Sequence, residues 1–455
     1  MRRVMISGMF SRRNRRTRRP SSPALLAAWE ALDAGDVPGA LRQVRAAGEG
    51  PPLAEVALVV GRAAGEAGFT DLADASAALA AAPEDARALY DFGYACVERG
   101  VPDLAIPALR EALRRSGGAL PVLRELVSAY EDEGRHREAV AELVRHEDRL
   151  ADWPDRYLLV FNAVLAGDLE LARRRHALLS DPEDARWRPA RERQNRMLAR
   201  AADAGRAGPL DAADLRGWQY VMGGTVLGTL SPYGFDAGMN GRYAWLQDSP
   251  DLCLRGLLRL RTLLSATGAR PRSVSLLPDR DSRILGLAAA EVLDLPAEPF
   301  APGRADTVVV AYDLDGLAAH DGGPELIGEL FDRAPGQVLH AHACCWTDPP
   351  AVTPDSAALL HQSVVAPWGE QLRAGADGRL ERGPADDRPE AEIAAEVTGA
   401  DPAAAEDGEG DGNGDGPADG DAGFTAFATA VAGTWLRGDR ARVRSAGPVP
   451  GSRFA

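Results

Sequence analysis

ARALYDFGYACVERGVPDLAIPALREALRRSGGA, residues 86–119, is followed at once by LPVLRELVSAYEDEGRHREAVAELVRHEDRLADW, residues 120–153. Laid over each other at an offset of 34, Leu89, Phe92, Gly93, Gly100, Ala105, Leu109 and Ala112 fall on Leu123, Leu126, Val127, Gly134, Ala139, Leu143 and His146. The glycine belongs to a longer ladder, Gly35, Gly68, Gly100, Gly134 and Gly167, with steps of 33, 32, 34 and 33 residues. Five positions after each stands an alanine: Ala40, Ala73, Ala105, Ala139 and Ala172. A fixed period near 34 marks helix pairs that bury their apolar faces against their neighbours, a solenoid. Glycine supplies the left-handed or cramped backbone that closes the first helix of each pair, and alanine lets the second helix approach closely. The pattern predicts helix pairs from about residue 24 to residue 180.

This ladder resembles the tetratricopeptide repeat (TPR) family, most clearly between Ala86 and Pro154. The resemblance implies a protein-interaction scaffold whose first helices line a groove. Carried over by register, the groove positions are Arg87, Tyr90, Tyr94, Arg124, Tyr157 and Phe161, and the implied partner is a protein or peptide segment. Arginine and aromatic side chains are common interface anchors. Packing between helices would equally account for Tyr90, Tyr94 and Phe161. The lysine and asparagine clamp by which some relatives hold a terminal carboxylate cannot be complete here, because all 52 basic residues are arginine.

The missing lysine also excludes a Walker A loop, a pyridoxal Schiff base and a protein kinase site, each of which needs an amine at a fixed place. A net charge of −15 argues against general nucleic-acid binding. Charge is unevenly spread: residues 1–19 carry eight arginines and no acid, and residues 401–423 carry eight acids and no base. The first stretch reads as a disordered basic arm, 1–23, and the second as an acidic linker too polar to fold. No apolar run is long enough for a membrane span, and the seven weakly apolar residues Val4–Phe10 are too few for a secretory core. Four cysteines, far apart or adjacent, give no disulfide framework. These features predict a cytoplasmic chain.

Residues 181–214 read as a capping helix and linker. From Leu215 to about residue 400 the pattern becomes alternating strands and helices, an α/β domain with a mostly parallel sheet. An apolar run at 218–230 reads as a strand, and Ser249-Pro250 opens a helix. SVSLL (273–277), TVVVAY (307–312) and QVLHAHACC (337–345) read as buried strands, and 363–366 as a short fourth. Phe424, Phe427, Val431 and Trp435 recur at helical spacing, which predicts a final helix docked back on this domain within 424–455.

Ligands of parallel α/β sheets bind beyond the carboxyl ends of the strands. Two loops lie there: Asp279, Arg280, Asp281, Ser282 and Arg283 after the first strand, and Asp313 and Asp315 after the second. SVSLLPDRDSRILGLAAAEVLDLP and TVVVAYDLD resemble the pyrophosphate loop and acidic strand end of a type I phosphoribosyltransferase. That resemblance implies Arg280 and Ser282 on pyrophosphate, Asp313 and Asp315 on sugar hydroxyls or Mg²⁺, and transfer to or from a phosphorylated sugar. It departs from the family where GLAAHDGG replaces the loop that grips a 5-phosphate. The same residues also read as helix caps and solvated turns of a domain that binds a ligand without turning it over.

His340, His342 and Cys344 alternate on one strand face beside Cys345, a partial zinc or iron set if His361 joins it, or plain strand burial. Asp411–Gly416 matches half of a calcium loop but has Ala422 in place of the closing glutamate. Asn240, Gly241 and Arg242 form a turn that lines the cleft or merely joins strands. No catalytic residue is assigned by any motif. The reading is a TPR-like scaffold fused to a ligand-sensing α/β domain, with a phosphoribosyl- or glycosyltransferase as the alternative.

Overall fold

The computed structural model describes residues 19–375, 379–403 and 414–451. Most of the arginine arm, the middle of the acidic segment with the first half of the calcium-like loop, and the last four residues lie outside the described residues. Two compact units divide the chain, 1–162 and 163–455.

The first unit is helical. Its helices are α1 (Pro23–Asp33), α2 (Val37–Ala47), α3 (Leu53–Ala67), α4 (Thr70–Ala81), α5 (Ala86–Glu98), α6 (Pro102–Arg115), α7 (Leu120–Asp132) and α8 (His136–Arg145), and it ends inside α9 (Tyr157–Leu165). From α1 to α8 each helix packs on its neighbour in sequence, and α1 with α3 and α5 with α7 also meet. The ladder glycines hold equivalent turns. Gly35, Gly68, Gly100 and Gly134 have φ of 78°, 82°, 71° and 66°. In every case the next residue's N–H bonds to the carbonyl five residues back: Asp36 to Ala31, Phe69 to Ala64, Val101 to Cys96 and Arg135 to Tyr130, at 2.8–3.0 Å. This is the six-to-one bond of a glycine-closed helix end, repeated with the sequence period.

Small residues set the helix spacing within a pair. A Cβ placed on Gly93 of α5 would stand 2.5 Å from Leu109 Cγ of α6, and one on Gly61 of α3 would stand 2.8 Å from Ser76 Cβ of α4. Gly134, by contrast, has open space around it, so only its positive φ resists substitution. Gly134→Ala should therefore cost about 1 kcal/mol in urea unfolding, the left-handed penalty alone. Gly93→Ala should cost about 1–3 kcal/mol through overpacking. Equal losses would refute this division.

The second unit opens with the same turn: Gly167 has φ 82° and Asp168 N–H bonds Ala163 O at 2.9 Å, leading into α10 (Leu169–His176). Then come α11 (Arg188–Ala204), α12 (Leu215–Gly223), β1 (Val226–Leu227), β2 (Tyr243–Gln247), α13 (Pro250–Thr267), β3 (Ser273–Leu276), α14 (Arg280–Leu293), β4 (Ala297–Pro299) and β5 (Thr307–Asp313). They are followed by α15 (Leu314–Ala319), α16 (Gly323–Phe331), β6 (Val338–Cys345), β7 (Ser356–Val365), β8 (Leu372–Ala374), β9 (Leu380–Arg382), α17 (Glu390–Thr398) and α18 (Asp421–Val431). Trp218 lies in a helix, not in the expected strand. Asp214 caps that helix through Gly217 N–H, and Gly224 ends it at φ 82°. Its apolar run is continuous because nearly every side is buried, and such a run looks the same for a buried strand or helix.

The main sheet runs β4-β3-β5-β6-β7-β1, with β2 also paired to β7, and every pairing in it is parallel. Val308–Val310 of β5 and Val338–Ala341 of β6 have almost no exposed surface, as a sheet covered on both faces requires. From β3 the chain moves outward to β4, then returns past β3 to β5. The β3–β5 boundary is therefore the point where connections leave in opposite directions. Phe424, Phe427 and Val431 of α18 and Trp435 beyond it are buried, and α18 packs on α13. Among the described residues no helix is long and apolar enough to cross a membrane.

Candidate functional site

The β3–β5 boundary opens at its carboxyl end into a cleft of about 230 Å³ lined by Asp279, Arg280, Asp281, Tyr312, Asp313, Gly316, Ala319 and His320. Both loops singled out from sequence reach it. Asp279 and Asp281 come from the start of α14, and Asp313 ends β5.

The phosphate contacts implied by resemblance are otherwise engaged. Asp279 Oδ2 accepts Ser282 N–H at 3.0 Å, so the amino end of α14 is capped by its own carboxylate. Ser282 is fully buried, and its hydroxyl accepts Tyr312 N–H at 3.0 Å. Arg280 donates to Arg388 O at 2.8 Å, and Arg283 pairs with Glu390 at 3.0 Å. Asp315 does not line the cleft. The residue between the two acids, Leu314, is buried in the core, so Asp313 and Asp315 part: Asp315 N–H bonds Asp313 Oδ1 at 3.0 Å and its side chain is exposed.

What remains is a set of carboxylates with open acceptor capacity. Asp279 Oδ1 is buried without a hydrogen-bond partner. Asp281 Oδ1 accepts Trp368 Nε1–H at 2.7 Å, and burial raises its proton affinity. Asp313 is raised to about 6, chiefly by burial, with Asp315, Asp281 and Asp279 adding negative charge nearby. Unfolding returns Asp313 to an ordinary value near 3.8, so its contribution is fully present below that pH and is lost as pH rises through about 6. Asp313→Asn keeps a capping oxygen but cannot ionise. It should match the native chain near pH ~4 and exceed it by about 1–3 kcal/mol near pH ~7. A difference that stays flat in urea titrations across that range would refute the raised proton affinity.

Tyr312 forms the inner wall of the cleft and reaches beyond it. Its hydroxyl donates to Asp248 Oδ2 at 2.8 Å, and its ring meets Trp368 edge-on at 5.4 Å. Asp248, at the carboxyl end of β2, is buried together with Cys253 of α13 and His342 of β6. His340, His342 and Cys344 are buried in β6 and do not form a metal set, in keeping with the strand-burial reading. His340 Nδ1 meets Ser356 Oγ at 3.2 Å instead, and burial lowers its proton affinity to about 3. His361, on the other face of the sheet by register, is lowered to about 4 for the same reason. Arg242 is also absent from the cleft. It is buried under the Trp346 ring, donates to Pro450 O at 2.8 Å, and so fastens the chain's C-terminal segment.

On the helical unit the six groove positions divide. Tyr94 is 42% exposed and stacks on Tyr90, with the Arg87 guanidinium 5.8 Å above the Tyr90 ring. Arg124 is held by Asp155 through two bonds of 2.6 and 3.1 Å. Tyr157 is only 3% exposed, stacked between Trp153 and Phe161, and so packs rather than faces a partner.

No protein-family model and no curated protein matches this chain.

Proposed function

We propose that the chain is a scaffold: a TPR-like stack of helix pairs that holds a protein segment, joined to an α/β unit that binds a small polyhydroxylated ligand, such as a ribose or nucleoside, without turnover. The observation that carries the ligand reading is that Asp281 and Asp313, from two different strand ends, face one cleft. Carboxylates with free acceptor atoms suit hydroxyl donors. Ser282 is buried against Tyr312 N–H and Arg283 is paired with Glu390, which leaves Arg280, among the described residues, as the one cation in a cleft with three carboxylates, a balance that favours a ligand without pyrophosphate. The scaffold reading rests on the equivalent glycine turns and on the accessible Arg87, Tyr90 and Tyr94.

Calorimetric titration of the intact chain separates the possibilities. Ribose or a nucleoside should bind, and Asp281→Asn with Asp313→Asn should abolish it. Tighter binding of phosphoribosyl pyrophosphate with Mg²⁺ would instead favour the transferase. For the helical unit, joint replacement of Arg87, Tyr90 and Tyr94 by alanine should remove any captured partner while leaving thermal stability within about 1 kcal/mol. Capture unchanged by the triple replacement would end the groove assignment.

A further inference from the structure

Asp248, Cys253 and His342 bring oxygen, sulfur and nitrogen together from three elements, all without solvent access. Asp248 Oδ2 lies 2.9 Å from His342 Nε2 and 3.5 Å from Cys253 Sγ, and Sγ lies 3.7 Å from Nε2. A tetrahedral zinc ion with ordinary bond lengths of about 2.0 Å to oxygen and nitrogen and 2.3 Å to sulfur would separate its ligands by roughly 3.3–3.6 Å. The three atoms need move only a few tenths of an ångström to enclose one.

The electrostatics point the same way. Among the described residues no guanidinium pairs with Asp248; its fully buried carboxylate meets the His342 ring, a counter-charge only when that ring is protonated. A single oxygen, Oδ2, instead faces the Tyr312 hydroxyl, the His342 ring and the Cys253 thiol. Buried charge is stable only when paired or when it coordinates a cation. We propose that these three side chains are a zinc site, with Asp248 Oδ2, Cys253 Sγ and His342 Nε2 as protein ligands and the Tyr312 hydroxyl beside the remaining position. Mixed sulfur, nitrogen and oxygen donors suit zinc better than magnesium or calcium.

Binding releases the Cys253 thiol proton to solvent and takes the His342 imidazole in the form that leaves Nε2 free of a proton. Zinc binds the thiolate, so the ion must displace the Cys253 thiol proton. His342 Nδ1 has no hydrogen-bond partner. The site therefore lacks the outer acceptor that buttresses most zinc-bound imidazoles, and affinity should fall about 10–100-fold short of a fully buttressed one. The site ties β2, α13 and β6 together behind Tyr312, whose other side is the cleft wall.

Cobalt(II) titration of the chelator-treated full chain tests this. One equivalent should produce a thiolate-to-cobalt charge-transfer band that zinc then abolishes. Cys253→Ser should lose the band, Asp248→Asn should weaken binding at least tenfold, and Cys345→Ser, at a partly buried cysteine outside the cluster, should keep it. Circular dichroism of each variant identifies any that fails to fold, and for those the decision rests on the native chain and Cys345→Ser. No band in the native chain, or a band lost with Cys345→Ser and kept with Cys253→Ser, would overturn the site.

Discussion

Asp355→Ala is expected to cost the α/β unit about 3–5 kcal/mol, as loss of one partner from a buried ion pair does. Asp355 precedes β7 and is 3% exposed. Its Oδ2 accepts two bonds from Arg440, at 2.7 and 3.2 Å, and one from Leu339 N–H at 2.9 Å, while Oδ1 pairs with Arg333. Its backbone carbonyl accepts Trp435 Nε1–H at 2.9 Å. One residue thus joins the amino end of β7, the β6 backbone and the segment after α18. Without the carboxylate, the Arg440 guanidinium stays buried with only Leu330 O and Gln337 Oε1 as acceptors. Burial already opposes its charge, and Asp355 is the opposing influence. Urea unfolding measures the loss. The pair Asp355→Leu and Arg440→Met should recover part of it, since apolar replacement of both partners is often neutral or stabilising, while Arg333 and Leu339 N–H still lose their acceptor. A single replacement that costs under about 1 kcal/mol would show that the clamp is not needed.

The glycine ladder was legible because its cause is local. A left-handed turn needs a residue without Cβ wherever it occurs, so the turns print their period on the sequence. Asp279, Asp281 and Asp313 were legible for a related reason: loops at strand ends are short, and parallel topology brings neighbouring ends together. Ser282 misled because its hydroxyl looks like a phosphate donor in sequence, whereas in the fold it accepts a backbone N–H from the next strand. Asp248 and Cys253 carried no signal. Their sequence, LQDSPDLC, reads as a helix start, which it is: Ser249 Oγ caps Leu252 N–H at 3.2 Å. They meet His342 only because β2, early in the chain, pairs with β7 and brings residues 94 and 89 positions apart into contact. No periodicity encodes such a meeting.

The acidic segment gives the second large effect, because its composition and its placement disagree. A stretch of aspartate, glycine and alanine buries too little apolar surface to order itself, yet its described residues 414–420 are tied down by specific polar contacts. Asp415 accepts Asp236 N–H at 2.8 Å. Asp419 is deeper: Oδ1 accepts Arg216 at 2.8 Å, Oδ2 accepts Leu230 N–H at 3.0 Å, and its carbonyl accepts Arg259 at 2.7 Å. Both guanidiniums also lie against the Phe424 ring, at 5.2 and 4.7 Å, so the aspartate and the first aromatic of α18 are fixed by the same two arginines. Arg216 and Asp419 are both nearly buried, their side chains 11% and 8% exposed, so removing the acid leaves a buried guanidinium without its carboxylate. Asp419→Ala should therefore cost about 3 kcal/mol. Hydrogen exchange should quicken across α18 before the sheet responds. Asp421→Ala is the control. Its carboxylate pairs with Arg259 at 3.1 Å but is 91% exposed, so its loss should stay below about 1 kcal/mol. Equal effects from the two replacements would mean that net negative charge holds this segment; a large effect from Asp419 alone means that one buried carboxylate does.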